Sequence, residues 1–293
     1  MPAFEYYRAE LLEPISAEQP CGVDLRHDPL FGEILDARRA DDTLNAGAWE
    51  KQEGRKLANW ERVAEICLDA LQTRTKDLRL SCFLAEAALH LDGFEGFGLS
   101  LRLCRELLLK FWDQGLFPTI EDGDLDYRAA SLNAINDPLP DALRVLPLTA
   151  RNGDNYSYVR YQQALRLGTE AAMAGASGEK RETLEGLRQQ GYITMDAFES
   201  AVKGTRRKAF EAIYVPFDMA EKELIALSRA ADEKFGDASP PFSNAREALT
   251  QIRNVLDPIL KKKREEEPDR PEGEQTPPHA GNSGTPHGVT PAG

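Results

Sequence analysis

Asp77-Leu78-Arg79-Leu80-Ser81-Cys82-Phe83-Leu84-Ala85-Glu86-Ala87-Ala88-Leu89-His90-Leu91 decides how this chain folds. Leu78, Leu80, Cys82, Phe83, Leu84, Ala87, Ala88, Leu89 and Leu91 leave almost no polar face. A helix that is apolar nearly all round is a central one, covered by neighbours on several sides. Asp77 stands where a capping side chain belongs, and Gly93 where the residue after a helix C-terminus belongs.

Its neighbours in sequence supply the cover. Asn59 reads as an N-cap, and Trp60, Val63, Ile66, Cys67, Ala70 and Leu71 then fall on one helical face. A third helix, about 97 to 112, carries Leu99, Leu101, Leu103, Leu107, Leu108 and Phe111. Short links between the three favour antiparallel packing. Further out, helical periodicity predicts segments near 30–41, 127–136, 141–148, 156–167, 179–190 and 195–212. Pro216 is read as a break or a first-turn position before a helix over 218–234, and Ser243 as the cap of a last helix to about Lys263, fraying at its end. Strand signals are scarce. The fold class is therefore all-α, a multi-helix bundle of antiparallel helices. Residues 1–170 form the first helical domain; 171–265 add helices, packed on that bundle or forming a small second domain. Residues 266–293, rich in Pro and Gly, have too little apolar surface to offset the entropy of ordering and read as a disordered tail. A chain that stops inside such a segment implies a further domain beyond it.

Composition limits the function classes. With 36 Lys+Arg against 49 Asp+Glu the formal net charge is -13, the wrong sign for nucleic acid as main partner or for docking on an anionic leaflet. No apolar run is long enough to span a bilayer, and residues 1–7 lack the pattern of a signal peptide. Cys21, Cys67, Cys82 and Cys104 form no C-x-x-C pair and read as buried free thiols, in keeping with a reducing cytoplasm.

Catalytic patterns are sparse. Glu121-Asp122-Gly123-Asp124, with Asp126 beside it, clusters carboxylates that suit a hard cation, which leaves a metal-dependent hydrolase as the enzyme alternative. The spacing fails for a full Ca²⁺ loop, because Asn133 stands where a bidentate Glu is required. An interaction loop, or one that serves a helix dipole, is the plainer reading. His27, His90, His279 and His287 are too scattered for a catalytic pairing. The glycines of 93–98 join two helices with no preceding strand, so they are not a phosphate loop. Trp49, Trp60 and Trp112 suit helix junctions, with an interface anchor as the alternative for one of them. Lys203, Arg206, Arg207 and Lys208 form a solvated basic face or a patch for an acidic partner. No cofactor is expected.

Several unusual strings occur together in a fixed order, among them Pro20-Cys21-Gly22-Val23-Asp24-Leu25-Arg26, Asp28-Pro29-Leu30-Phe31, Gly47-Ala48-Trp49-Glu50, Asn59-Trp60 and Lys76-Asp77-Leu78-Arg79-Leu80. Phe111-Trp112-Asp113, Glu121-Asp122-Gly123-Asp124 and Leu146-Pro147-Leu148 complete the set. Over about residues 11–150 this resembles the N-terminal region of the ImpA/TssA family of bacterial type VI secretion components. The resemblance implies a cytoplasmic, non-catalytic adaptor that helps organise the baseplate and the polymerisation of tube and sheath. Its implied partners are baseplate, tube, spike or sheath proteins, with self-association in the full-length protein and no membrane insertion. A sheath-capping accessory protein sharing this region is the alternative within the same machine. The motif residues Asp24, Arg26, Trp49, Trp60, Lys76, Asp77, Arg79, Trp112, Glu121, Asp122 and Asp124 are implied to be structural or interacting. Lys76, Asp77 and Arg79 bracket the central helix start, against which Trp60 and Trp112 are expected to pack from the two neighbouring helices. Asn59 replaces the usual Asp, keeping capping ability, and Phe117-Pro118 replaces a usual His-Pro, so no role of that His carries over.

Overall fold

The computed structural model describes residues 5–39, 57–151 and 153–268. Trp49 and most of the tail, 269–293, lie outside the described residues. The architecture is all-α: α1 Leu30–Arg38, α2 Trp60–Thr73, α3 Leu78–Phe111, α4 Asp126–Asn136, α5 Leu139–Val145 and α6 Tyr158–Leu167. α7 Glu170–Ala174, α8 Gly178–Gln189, α9 Met195–Gly204, α10 Arg207–Phe235 and α11 Ser243–Glu266 follow. Among the described residues the only β pairings are isolated bridges.

α3 is two helices joined by a bend. Asp92 and Gly93 leave helical geometry, Gly93 at φ 59°, where L side chains are strained. The chain then doubles back so closely that a Cβ on Gly96 would lie 2.5 Å from the Ala88 carbonyl oxygen. The short link expected between the second and third helices is thus an abrupt hairpin. Its two arms bury Leu78, Leu80, Leu84, Ala88 and Leu89 on one side of the bend and Phe97, Leu101, Leu107 and Phe111 on the other.

α2 covers one side of this hairpin and α10 another. α10 lays down Phe210, Phe217, Ala220, Leu224, Leu227 and Ala231, all buried. Phe217 meets Phe94 of α3 edge-on at 5.3 Å, and Gly98 brings α3 against the Ala220 backbone. A single apolar cluster runs from Tyr6 to Leu260, so α10 and α11 rest on the first bundle.

Three expectations are corrected here. The helix predicted over 195–212 breaks at Thr205, whose buried hydroxyl donates to the Ala201 carbonyl at 2.9 Å and accepts from the Ala150 amide at 3.1 Å. Pro216, predicted to break the chain or to stand in the first turn of a helix, sits inside α10. An internal proline costs on the order of 3 kcal/mol, and burial of Phe210 and Phe217 on either side of it is large enough to offset that. Ser243 does not cap α11. The side-chain oxygen of Asn136, at the end of α4, accepts from the Asn244 amide at 2.8 Å and the Ala245 amide at 3.3 Å. The cap thus comes from another helix, which no local pattern announces. α11 also continues to Glu266 because Lys263 is buried, its Nζ donating to the Lys203 carbonyl at 3.1 Å.

Candidate functional site

Five of the predicted motif residues converge at one end of the bundle. Asp77, fully buried, accepts the Arg79 amide at 2.8 Å and the Arg79 guanidinium at 2.6 Å. It therefore caps α3 and clamps the arginine that follows. The same guanidinium lies 3.7 Å from Asp24, and Asp24 holds Arg26 at 2.5 Å. Arg26 reaches Glu121 at 3.0 Å and the Thr119 hydroxyl at 2.8 Å. The paired carboxylates, Asp24 first, raise the pKa of Arg26 further. The network joins the segment before α1, the start of α3 and the acidic loop.

Aromatic rings extend this clasp. Arg79 stacks over Phe31 at 4.3 Å, Phe31 tilts against Phe83 at 6.4 Å, and Arg38 covers Phe83 at 4.8 Å while pairing with Glu86 at 2.7 Å. Planar guanidinium groups suit both roles at once. Beside the clasp lies a groove of about 560 Å³, bounded by the first arm of α3, by α4 and by the loop at 118–121.

The remaining motif residues sit elsewhere. Lys76 is fully buried and donates to the Leu11 carbonyl at 2.9 Å and the Leu71 carbonyl at 2.7 Å, tying the N-terminal segment to α2. Burial pulls its pKa down to about 8. Trp60 opens α2 and stacks flat on His90 of α3 at 4.1 Å; burial lowers the pKa of that histidine. Trp112 begins a 3-10 turn after α3 and packs edge-on against Phe235 of α10 at 4.8 Å. Asp122 lies in the turn with φ 52°, and Asp124 accepts the Asp126 amide at 2.8 Å at the start of α4. Among the described residues, no three His, Cys, Asp or Glu side chains gather as metal ligands. Glu121 and Asp124 are engaged with Arg26 and with the α4 terminus. All four cysteines are buried and free.

One residue that shapes the site carries no motif. Arg128 is buried in α4, its guanidinium over the Trp112 ring at 4.6 Å, donating to the carbonyls of Pro118 at 2.6 Å, Trp112 at 3.4 Å and Leu116. Burial lowers its pKa. It holds the loop that delivers Thr119 and Glu121 to Arg26. The signal lay in its position: Arg128, Leu132 and Ile135 share one helical stripe, so the charge falls on the buried face.

No helix of the described residues is long and apolar enough to cross a membrane. Residues 12–137 match the family model described as ImpA, N-terminal, type VI secretion system. A relative from Pseudomonas aeruginosa, described as type VI secretion system component TssA1, is 28% identical over 257 residues, covering 84% of this chain and 67% of its own length. Among solved structures, the N-terminal domain of the TssA component of the type VI secretion system from Burkholderia cenocepacia, which includes the conserved ImpA_N region, superposes with a TM-score of 0.74. That likeness has 26% identity and covers 89% of this chain and 96% of that one. It therefore extends well past the residues that the family model matches.

Proposed function

Because this chain belongs to the TssA/ImpA N-terminal family of type VI secretion components, we propose that it is a non-catalytic, cytoplasmic adaptor of that machine. It contributes to baseplate organisation and to tube and sheath polymerisation through protein contacts. Its partners are baseplate, tube, spike or sheath proteins, and the full-length protein self-associates.

The observation that carries this reading is where the motif charges are spent. Asp24, Arg26, Asp77, Arg79 and Glu121 pair with one another and fasten loops to a helix start. Catalytic groups need a reacting atom within reach and a perturbed, available proton site. Groups locked in mutual pairs instead make a rigid end on an otherwise helical scaffold. The motif thus serves to fix shape, and fixed shape is what an assembly component presents to partners. We further assign residues 171–265 to the same cooperative unit as the first bundle, supported by the seating of α10 on α3.

Two experiments test this. Deleting the gene in a strain with an active apparatus should abolish export of the tube protein, and the intact gene should restore it. A tagged full chain should recover baseplate, tube, spike or sheath proteins from those cells; recovery of none, with export unaffected by deletion, overturns the proposal.

A further inference from the structure

The two arms of α3 carry matched buried seams. Cys82, Ala85 and Leu89 follow helical spacing on the first arm, and Phe97, Leu101 and Cys104 on the second. The two series are symmetric about the bend: Leu89 and Phe97, Ala85 and Leu101, and Cys82 and Cys104 are pairs equidistant from Gly93. The close approach of Gly96 to the Ala88 backbone brings the arms together at the bend end of the series. Two cysteines therefore share one layer, and their thiols hydrogen-bond to each other. That bond, with burial, raises the pKa of Cys82, and the same bond lowers that of Cys104. Once one proton is lost the pair shares the other, so either sulfur can carry the charge.

Access is one-sided. Cys82 is 3% exposed and stands in the wall of the groove beside the clasp, whereas Cys104 is fully buried behind it. Cys21, ahead of α1, and Cys67, on α2, lie off the seam. A small oxidant that enters the groove thus meets one sulfur with a second directly behind it.

We propose that Cys82 and Cys104 form a reversible redox pair, joined on exposure to a small peroxide into a disulfide that clamps the two arms of α3. The Cys82 thiolate attacks one peroxide oxygen and breaks the O–O bond; the leaving hydroxide takes up a proton and departs as water. Cys82 is then a sulfenic acid. The Cys104 sulfur attacks the Cys82 sulfur, its proton passes to the departing hydroxide, and the second water leaves as the S–S bond forms. The two thiols lose two electrons and two protons, the peroxide is reduced to two waters, and a dithiol reductant reverses the change. Under reducing conditions the pair rests as free thiols.

The test oxidises the folded full chain with hydrogen peroxide, alkylates the remaining thiols and maps the peptides by mass spectrometry. Cys82 and Cys104 should appear joined, Cys21 and Cys67 alkylated, and dithiothreitol should restore all four thiols. The link restricts the unfolded chain, so the oxidised form should melt about 5 °C or more above the reduced one, a gain that dithiothreitol removes. Cys104→Ala should leave Cys82 as a sulfenic acid that dimedone traps; if that variant does not fold, the wild-type map decides alone. Four thiols that stay reduced in excess peroxide, a link that forms only in urea, links between molecules or any other pairing overturn the proposal. So does a folded Cys104→Ala chain that peroxide leaves without a dimedone adduct at Cys82. A Cys82–Cys104 link with an unchanged or lower melting temperature also overturns it, because the arms are then not clamped in their native register.

Discussion

The α3 hairpin with α10 and the α7–α8 excursion are both helical, yet they are held by different means. α3 buries residues along both arms, from Leu78 to Phe111, whereas α8 buries only Leu184 and α7 none. α7 and α8 are kept in place by caps and surface pairs: Thr169 accepts the Ala172 amide at 3.1 Å and Arg188 meets Glu170 at 3.2 Å. Exposed pairs of that kind contribute little. The contrast teaches that helical periodicity reports where a helix forms, while burial decides how much of the fold depends on it.

Substitutions should separate the two regions, beginning with the core. Phe97→Ala, at a fully buried site, should destabilise the chain by roughly 3–5 kcal/mol in urea unfolding. The clasp comes next: Asp77→Ala removes a cap and leaves Arg79 half-paired, a cost of roughly 2–4 kcal/mol. An unchanged melting temperature would refute its structural role.

Lys76 gives a pH signature found only in the core. Its pKa is about 8 when folded against the ordinary lysine value of 10.5, so the unfolded chain binds the proton more tightly. Its contribution is therefore complete above about 10.5 and lost as pH falls through about 8. Compared with Lys76→Met, the wild type should gain up to roughly 3 kcal/mol between those limits, read from urea midpoints at several pH values. A constant difference would show that the lysine titrates normally.

Smaller effects probe the periphery. Asn136→Ala strips the cap that α4 lends to α11 and should cost about 1–2 kcal/mol, with faster amide exchange at Asn244 and Ala245. Leu184→Ala should cost less than about 1 kcal/mol, because α8 can shift to close the gap. A loss as large as that of Phe97→Ala would erase the contrast between the regions.

The candidate site was legible in part. Asp77 as cap and clamp follows from an acidic residue ahead of an apolar helix with an arginine two positions on. That Asp24, Arg26 and Glu121 would meet it could not be read locally, since Arg26 and Glu121 lie 95 residues apart and touch only after folding. The contact of Trp112 with Phe235 was out of reach for the same reason, since Phe235 lies on a helix whose course depended on Pro216 being tolerated. Arg128 went unnoticed because an arginine in a helix ordinarily points to water.

What the sequence by itself determined was the all-α class, the central place of the 77–91 segment and most helix boundaries. These follow from residue spacing, caps and chain-breaking residues, which act within a few positions. The tertiary structure decided the hairpin at Gly93, the survival of α10 across Pro216, the cap lent by Asn136, the burial of Lys76 and Arg128, and the groove between α3 and α4. Each of these sets a local cost or an unpaired polar group against a contact from a distant segment, and only the folded chain brings that contact within reach.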